Sequence, residues 1–342
     1  MSNNRFEILY IGPLNVNGTC YQRFLTFKRI FKCVYGFDTY VYKKNILVYY
    51  LNVFFNKNNL WFDFLNINKA VSGFNKKIDF VWVDKGLTIS WKTLEKIKIR
   101  HNCKLIHYSP DDMFNSANQS KYYLKSIKTY DYHITTKSYN VQELKSYGAK
   151  DVFFINNCFD DIFHSKINFI TPTYEVGFIG SFEIERAEIL FKLARRGIKL
   201  TIRGNWPQAW VRKFKEHKVD ICARELDFPE YNIFIQQCKI NLCFLRKANR
   251  DLQTTRSIEI PAMGGFMLAE DTYEHRILFK ENIEAVFFNN IDTLINKIVF
   301  YLTHDEERKK IQNAGYLRCH ESGYSNFENF NRLFSEKIVK VI

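Results

Sequence analysis

Between Asp251 and Glu270 the chain reads DLQTTRSIEIPAMGGFMLAE: an acid, a base and a second acid, a Gly-Gly turn, an apolar run and a third acid. Asp251, Arg256, Glu259 and Glu270 are its chemically capable groups. Arg256 and Glu259 are three residues apart, so on a helix they share one face. The pattern predicts a short amphipathic helix ending at Gly264 and a strand over Phe266–Ala269. In an α/β sheet, groups at helix starts and strand ends face the ligand crevice. A guanidinium at 256 suits a phosphate, and a carboxylate at 259 suits a pair of ribose hydroxyls. A surface ion pair on a capped helix accounts for the same two residues.

Other positions offer matching chemistry. Gly180-Ser181 lies at an expected strand-to-helix turn, where backbone N–H groups and the positive end of a helix dipole favour an anion. Arg186, just inside that helix, opposes the dipole unless something negative binds nearby. Arg203-Gly204-Asn205-Trp206 ends the next expected strand, and Arg203 is placed to reach the same anion. Arg246 and Arg250 read equally well as a cationic loop or as solvated charges. In the N-terminal half, Asp84-Lys85-Gly86 and Ser109-Pro110-Asp111-Asp112 each close an expected strand. Asp112 also reads as the N-cap of a following helix.

The elements that must position these groups alternate. Phe6–Ile11, Asp79–Val83, Lys104–His107, Tyr132–Thr135 and Val152–Ile155 read as parallel strands, with helical patterns after Asn17 and over Ser138–Tyr147. The aromatic-rich 38–75 region is expected to hold one strand, Ile46–Tyr50, and one helix. Asn156–Thr173 reads as a linker. A second alternation follows: strand Tyr174–Ile179, helix Glu185–Arg196, strand Lys199–Arg203, loop Ala223–Tyr231, strand Lys239–Leu245, the Asp251–Glu270 block, and strand Glu284–Phe288. Ser325–Ile342 reads as an amphipathic helix. Strand–helix alternation predicts doubly wound sheets. The expected domains are 1–168 and 169–324, with a helix over 325–342 returning to the first.

The Arg256–Glu270 block resembles the CgeB-like branch of the group 1 glycosyltransferases, which reads R-x-x-E-[IL]-P-A-x-G-G-[FL]-x-L-x-E. Arg256, Glu259, Pro261, Ala262, Gly264, Gly265, Phe266 and Glu270 match it. Asp251 and Glu259 have the spacing of the wider group's E-x7-E signature, with Asp in the first place. Asp84-Lys85-Gly86 and Asp111-Asp112 are similar to that branch's V-D-[KR]-G and Y-x-[PS]-D-D-[PM]. The resemblance implies a GT-B fold, two Rossmann-like domains facing across a cleft. It also implies glycosyl transfer from a nucleotide sugar to a glycan, a lipid-linked sugar or a protein. The C-terminal domain would then bind the donor. Arg256, with Arg186 or Arg203, would hold the diphosphate, near Gly180, Ser181, Gly204 and Asn205. Glu259 would hold the ribose, beside Asp251, Phe266 and Glu270, and Gly264-Gly265 would let backbone approach the ligand. Leu226 and Phe228 would wall the base. Asp84 or Asp111 would serve as general base, with Lys85 and Asp112 on the acceptor side. Fixed cations would stabilise the departing diphosphate, so no cofactor or metal is expected.

Composition bounds the alternatives. The chain has 342 residues, 46% of them hydrophobic, and a net charge of +14. Its 32 Phe and 20 Tyr, with abundant Lys, Asn and Ile, are what an AT-rich coding sequence produces. The charge permits an acidic partner, such as nucleic acid, an anionic membrane or a phosphorylated ligand. No zinc-finger or helix-turn-helix pattern supports a nucleic-acid module. None of the eight cysteines forms a C-x-x-C pair, so reduced thiols in a cytoplasmic enzyme are expected. No signal-peptide pattern opens the chain, and no apolar run reaches the ~18 residues of a membrane span. Peripheral membrane contact remains open. The competing readings are a sugar-nucleotide epimerase on the same scaffold, a nucleic-acid glucosyltransferase, and a non-catalytic protein that keeps the fold.

Overall fold

The computed structural model describes residues 4–40, 46–57, 66–168 and 170–341. The chain divides into two compact units, Met1–Asn156 with Asn326–Ile342, and Asn157–Ser325. In the first, β1 (Glu7–Gly12), β2 (Cys33–Asp38), β3 (Phe80–Asp84), β4 (Lys104–Ser109), β5 (Tyr132–Thr135) and β6 (Asp151–Phe154) form a sheet in the order β2-β1-β3-β4-β5-β6. All its pairings are parallel. The helices are α1 (Thr19–Ile30), α2 (Ile46–Lys57), α3 (Ile67–Ser72), α4 (Trp91–His101), α5 (Lys121–Ser126) and α6 (Asn140–Ser146). The interior strands are apolar because both faces are covered, and β3 is buried at every position.

The second unit repeats the plan. Strands β7 (Tyr174–Ile179), β8 (Leu200–Arg203), β9 (Asp220–Cys222), β10 (Cys238–Cys243), β11 (Met267–Glu270) and β12 (Val286–Phe288) take the order β12-β11-β10-β7-β8-β9. These pairings are parallel as well. Its helices are α7 (Ile184–Arg195), α8 (Gln208–Glu216), α9 (Phe228–Gln237), α10 (Thr255–Ala262), α11 (Tyr273–Leu278), α12 (Ile291–Thr303) and α13 (Asp305–Glu321). The last helix, α14 (Asn326–Leu333), belongs to the first unit. Phe330 and Phe334 are buried against Phe27, Phe31 and Trp82. Burying one such side chain is worth about 1.5–3 kcal/mol, which ties the tail down.

Four sequence expectations need correction. Ile46–Tyr50 is not a strand but the start of α2. An apolar run of that length carries no period to separate strand from helix, and without Gly or Pro it continues helically. One edge strand of the sheet is β2, disguised by Gly36 and by partial burial along its length. Residues 157–168 do not link the units. They pack inside the second one, where the Asn157 N–H donates to the Gln253 side chain at 3.0 Å and Asn232 Nδ2 donates to the Phe163 carbonyl at 2.6 Å. Phe228 and Tyr231 lie on α9, whose start is capped by Asp227, so the loop after β9 is shorter than expected. The tail past Leu333 continues not as α-helix but as a π-turn and a 3₁₀-turn.

Candidate functional site

In the second unit the chain lays down β7, β8 and β9, then returns to place β10 on the other side of β7. Where strand order reverses, a crevice opens at the strands' carboxyl ends. A cavity of about 230 Å³ lies at this point, lined by the Gly180–Glu183 turn, Arg186, Phe244, Arg246, Thr254 and Arg256.

Each wall has a local cause. Glu183 precedes α7 without a side-chain cap to its N–H groups, so the helix start stays receptive to an acceptor. Gly204 has φ 129°, and a Cβ there would meet the Gly180 carbonyl oxygen at 2.2 Å. Only glycine lets β8 pack this closely behind the turn. Trp206 Nε1 donates to the same carbonyl at 3.1 Å. On the far wall the Thr254 N–H donates to Ser257 Oγ at 3.0 Å, fixing the first turn of α10. Ser257 in turn contacts His275 Nε2 at 2.7 Å, and His275 Nδ1 lies 2.6 Å from the Glu270 carbonyl oxygen. Burial holds the His275 pKa below its usual value, so the ring is neutral and donates to that carbonyl.

The cavity is electropositive. Arg186 donates to the Ser181 and Phe244 carbonyls at 3.5 and 3.3 Å, while its Nε is buried without a hydrogen bond. Burial lowers the Arg186 pKa, and the charges of Arg256 and Arg246 lower it further against the opposing pull of Glu183. Arg246 Nε pairs with Glu183 at 2.8 Å. Arg256 Nε is buried with no hydrogen-bond partner among the described residues. Arg186 and Arg256 thus each present a buried Nε donor without a hydrogen bond, and a buried donor left unpaired costs about 1–3 kcal/mol. An anion with several acceptor oxygens relieves both.

Glu259 follows Arg256 on the same face of α10 and is buried. Its Oε2 accepts from the Tyr231 hydroxyl at 2.7 Å, and its Oε1 lies 3.6 Å from His164 Nε2. The Asp160 N–H donates to His164 Nδ1 at 2.8 Å, which puts the ring's proton on Nε2, facing Glu259. Burial lowers the His164 pKa despite Glu259.

Other predicted donor-site residues lie apart from this cavity. Arg203 is committed to Asp220 in a two-pronged pair at 3.2 and 2.8 Å. Asn205 Nδ2 donates to Glu225 at 2.7 Å. Gly264 and Gly265 precede β11, at the amino ends of the parallel strands, away from the carboxyl ends where the cavity opens. Gly264, with φ 74°, follows the end of α10, and Gly265 is packed under Ile235, Asn241 and Ile260. They bring helix against sheet rather than backbone against ligand. Phe266 is core, packed on Tyr301. Asp251 braces its own loop through the Arg246 N–H at 3.3 Å and Asn249 at 2.8 Å. Glu270 accepts from the Leu245 N–H at 2.8 Å and lines a separate cavity of about 240 Å³ with Lys247, Asp271 and Asn289. Burial raises the Glu270 pKa.

In the first unit, strand order reverses between β1 and β3, and Asp84 ends β3 there. Its side chain is fully buried. Oδ2 is held by Arg23 Nε at 2.8 Å and the Tyr10 hydroxyl at 2.7 Å. That arrangement stabilises the carboxylate in the interior, with Oδ1 buried and without a hydrogen bond. Lys85 has φ 64°, a region that favours glycine, and its ammonium pairs with Asp111. Burial pushes the Lys85 pKa down, but Asp111, Cys20 and Asp84 together outweigh it and the net direction is up. Asp111 stays partly exposed. Asp112 is not a helix N-cap. It closes a turn, accepting from the Phe114 N–H at 3.1 Å and Asn140 Nδ2 at 3.0 Å.

Residues 186–334 match a family model described as glycosyl transferase-like. A search of the curated proteins with this sequence finds no match. Among solved structures, HepE from Anabaena in complex with UDP and glucose aligns with TM-score 0.65 at 12% identity, covering 98% of this chain and 100% of its own. Sucrose-phosphate synthase from Thermosynechococcus elongatus aligns with TM-score 0.66 at 10% identity over 98% and 99%. A putative UDP-N-acetylglucosamine 2-epimerase from Listeria monocytogenes aligns with TM-score 0.57 at 12% identity over 99% and 98%. At these identities the likeness establishes the fold. Two Rossmann-like units, each a six-stranded parallel sheet with helices, make it GT-B.

Sequence reasoning missed His164, Tyr231, Glu183 and Thr254. His164 lay in the stretch read as linker, and Tyr231 in the stretch read as loop. Nothing local marks either as a neighbour of Glu259.

Proposed function

We propose that the protein transfers a glycosyl group from a nucleotide-sugar donor to an acceptor, with the donor diphosphate in the Gly180–Arg186–Arg256 cavity. The observation that carries this reading is the arginine-lined cavity at the β7/β10 reversal, in which Arg186 and Arg256 each keep a buried Nε without a hydrogen bond. When the bond from the sugar's anomeric carbon to the diphosphate breaks, its electron pair goes to the phosphate oxygen. Fixed guanidinium groups stabilise that charge as it grows. Glu259, one turn on from Arg256, would take the ribose hydroxyls, its carboxylate aligned by Tyr231 and His164. On the acceptor side Asp111 is the better-placed general base, being partly exposed where Asp84 is buried. The acceptor would be a glycan, a lipid-linked sugar or a protein. On the Arg256–Glu270 pattern, the CgeB-like branch is the subgroup we favour.

The arginines and the α7 start supply the charge that a divalent cation provides elsewhere, so turnover should survive excess chelator. A strict Mg²⁺ or Mn²⁺ requirement for the chemical step would refute that arrangement. Thermal-shift titration with UDP, GDP, CMP and their sugars tests the donor site. A nucleotide at 100 times its Kd adds about 2.7 kcal/mol of stability. Release of nucleoside diphosphate only when acceptor is present marks a transferase, whereas turnover without acceptor marks an epimerase. No stabilisation by any nucleotide would sink the reading.

A further inference from the structure

The net charge of +14 is not shared between the units. The first, Met1–Asn156 with Asn326–Ile342, holds 26 Lys and Arg against 13 Asp and Glu, and the second 24 against 23. The two are nearly equal in length and come from one coding sequence, so codon bias does not explain the difference. Much of the excess stands on two neighbouring helices of the first unit. Helices α4 and α5 carry Lys92, Lys96, Lys98, Arg100, Lys121 and Lys125 against one acid, Glu95. Lys98 is taken by Asp131 at 2.8 Å. Lys92, Lys96, Lys121 and Lys125 are exposed, and among the described residues none of the four pairs with a carboxylate. The starts of the two helices are held together. Lys125 Nζ lies 4.9 Å and Lys92 Nζ 5.7 Å from the centre of the half-buried Trp91 ring, and Ser120 Oγ donates to the Leu87 carbonyl at 2.5 Å. In a parallel strand–helix unit each helix starts on the side of the preceding strand's carboxyl end. Lys92 and Lys121 therefore stand on the rim where Lys85 follows β3 and Asp111 follows β4.

We propose that this face binds a glycan chain bearing repeating phosphate or carboxylate groups, which narrows the acceptor to that class. The inference rests on the reading of this unit as the acceptor side. Lysine ammonium groups are point-charge partners for phosphate and carboxylate. Lys92 and Lys96 stand one turn, about 6 Å, apart on α4, and so do Lys121 and Lys125 on α5. Cations spread over two helices match a partner whose own charge repeats, rather than a lipid-linked sugar charged at one end. Their place on the rim with Asp111 favours a substrate over a nucleic acid or a bilayer, neither of which needs that rim.

The test is equilibrium binding of the full chain to polygalacturonate and to a phosphomannan, with uncharged dextran, a single-stranded oligonucleotide and phosphatidylglycerol vesicles as comparators. Binding to at least one of the two anionic glycans and none to dextran is expected, with a fall of about ten-fold or more between about 50 and 200 mM salt. The K92Q/K121Q/K125Q variant should bind about ten-fold more weakly at unchanged Tm. The K192Q/K215Q/K310Q variant, which removes as much exposed charge from the second unit, should match the parent. If the first variant loses its fold, K92Q and K121Q carry the same test singly. Absence of binding by the parent to either anionic glycan, or equal binding by the folded α4–α5 variants, overturns the proposal. So does an equal loss in the second-unit variant, or tighter binding of the oligonucleotide or the vesicles than of either glycan. Titration with UDP decides the donor site separately, because glycan binding is read with no nucleotide present.

Discussion

Arg256→Ala separates a site built for a ligand from a site built for the fold. In most proteins, removing a half-buried arginine loses an ion pair or a hydrogen bond. Here Nε has no partner to lose, and the charge helps hold the Arg186 pKa below its usual value. The variant should therefore keep its stability to within about 0.5 kcal/mol, which is about 1–2 °C in Tm for a domain of this size. Binding should behave differently. A hydrogen bond to a charged group is worth about 1.5–3 kcal/mol, so the Kd for nucleoside diphosphate should rise about 10- to 150-fold. The bare nucleoside, lacking the phosphates, should bind both forms alike. Turnover should fall further than ground-state binding, because charge on the diphosphate is greatest in the transition state. Arg256→Lys keeps the charge but loses the fork, and should fall between. Calorimetric titration with diphosphate and nucleoside, alongside thermal unfolding, reads all of this. A Kd within two-fold of the parent, or a loss of binding that tracks a fall of many degrees in Tm, would refute the reasoning.

Glu259→Gln keeps an acceptor for the Tyr231 hydroxyl but removes the charge. It should weaken nucleoside binding about ten-fold with little change in Tm, and undiminished affinity would move the ribose elsewhere. Asp84→Asn strips Arg23 of its buried counter-charge and should cost about 3–5 kcal/mol in urea unfolding while leaving nucleotide affinity intact. A variant of full stability with no turnover would instead make Asp84 a catalytic base. Stability should also fall as pH drops from about 6.5 towards 4. Burial depresses the pKa values of His107, His133, His164 and His275, so between those pH values the unfolded chain binds more protons and stability is lost. His133, lowered from 6.5 to about 4, alone accounts for about 3 kcal/mol, and a flat stability profile over this range would contradict its burial as a neutral ring.

The sheets were legible because interior parallel strands are buried on both faces and read as unbroken apolar runs. Tyr132–Thr135 and Tyr174–Ile179 have the predicted bounds. Legibility failed where burial is one-sided or mixed. Strand β2 is a half-exposed edge, and α2 is almost unbroken apolar sequence from Ile46 to Phe55. The first domain boundary shifted for a related reason. Residues 157–168 are rich in turn-forming types, yet their polar groups find buried partners 69 to 96 positions away. No local pattern announces a hydrogen bond across that distance.

The arginines show what spacing can and cannot say. Arg186 was suspected because a cation at a helix start is electrostatically misplaced, and it does line the cavity. Arg203 looked equally suitable at a strand end, but Asp220 on the neighbouring strand takes both prongs of its guanidinium. In sequence the two differ only in what lies beside them after folding. Arg203 meets a carboxylate whose hydrogen bonds raise its pKa against burial. Arg186 meets Glu183 at a looser 3.7 Å as well as two more arginines, and burial with those two charges outweighs Glu183 and lowers its pKa. Opposite displacements of the same side chain, set by neighbours, separate a structural cation from one left waiting for an anion. The same comparison predicts the ligand effect. Bound diphosphate should relieve Arg186 and leave Arg203 unmoved, so Arg203→Ala should cost stability without changing nucleotide affinity. An affinity loss in that variant at unchanged Tm would reverse the assignment.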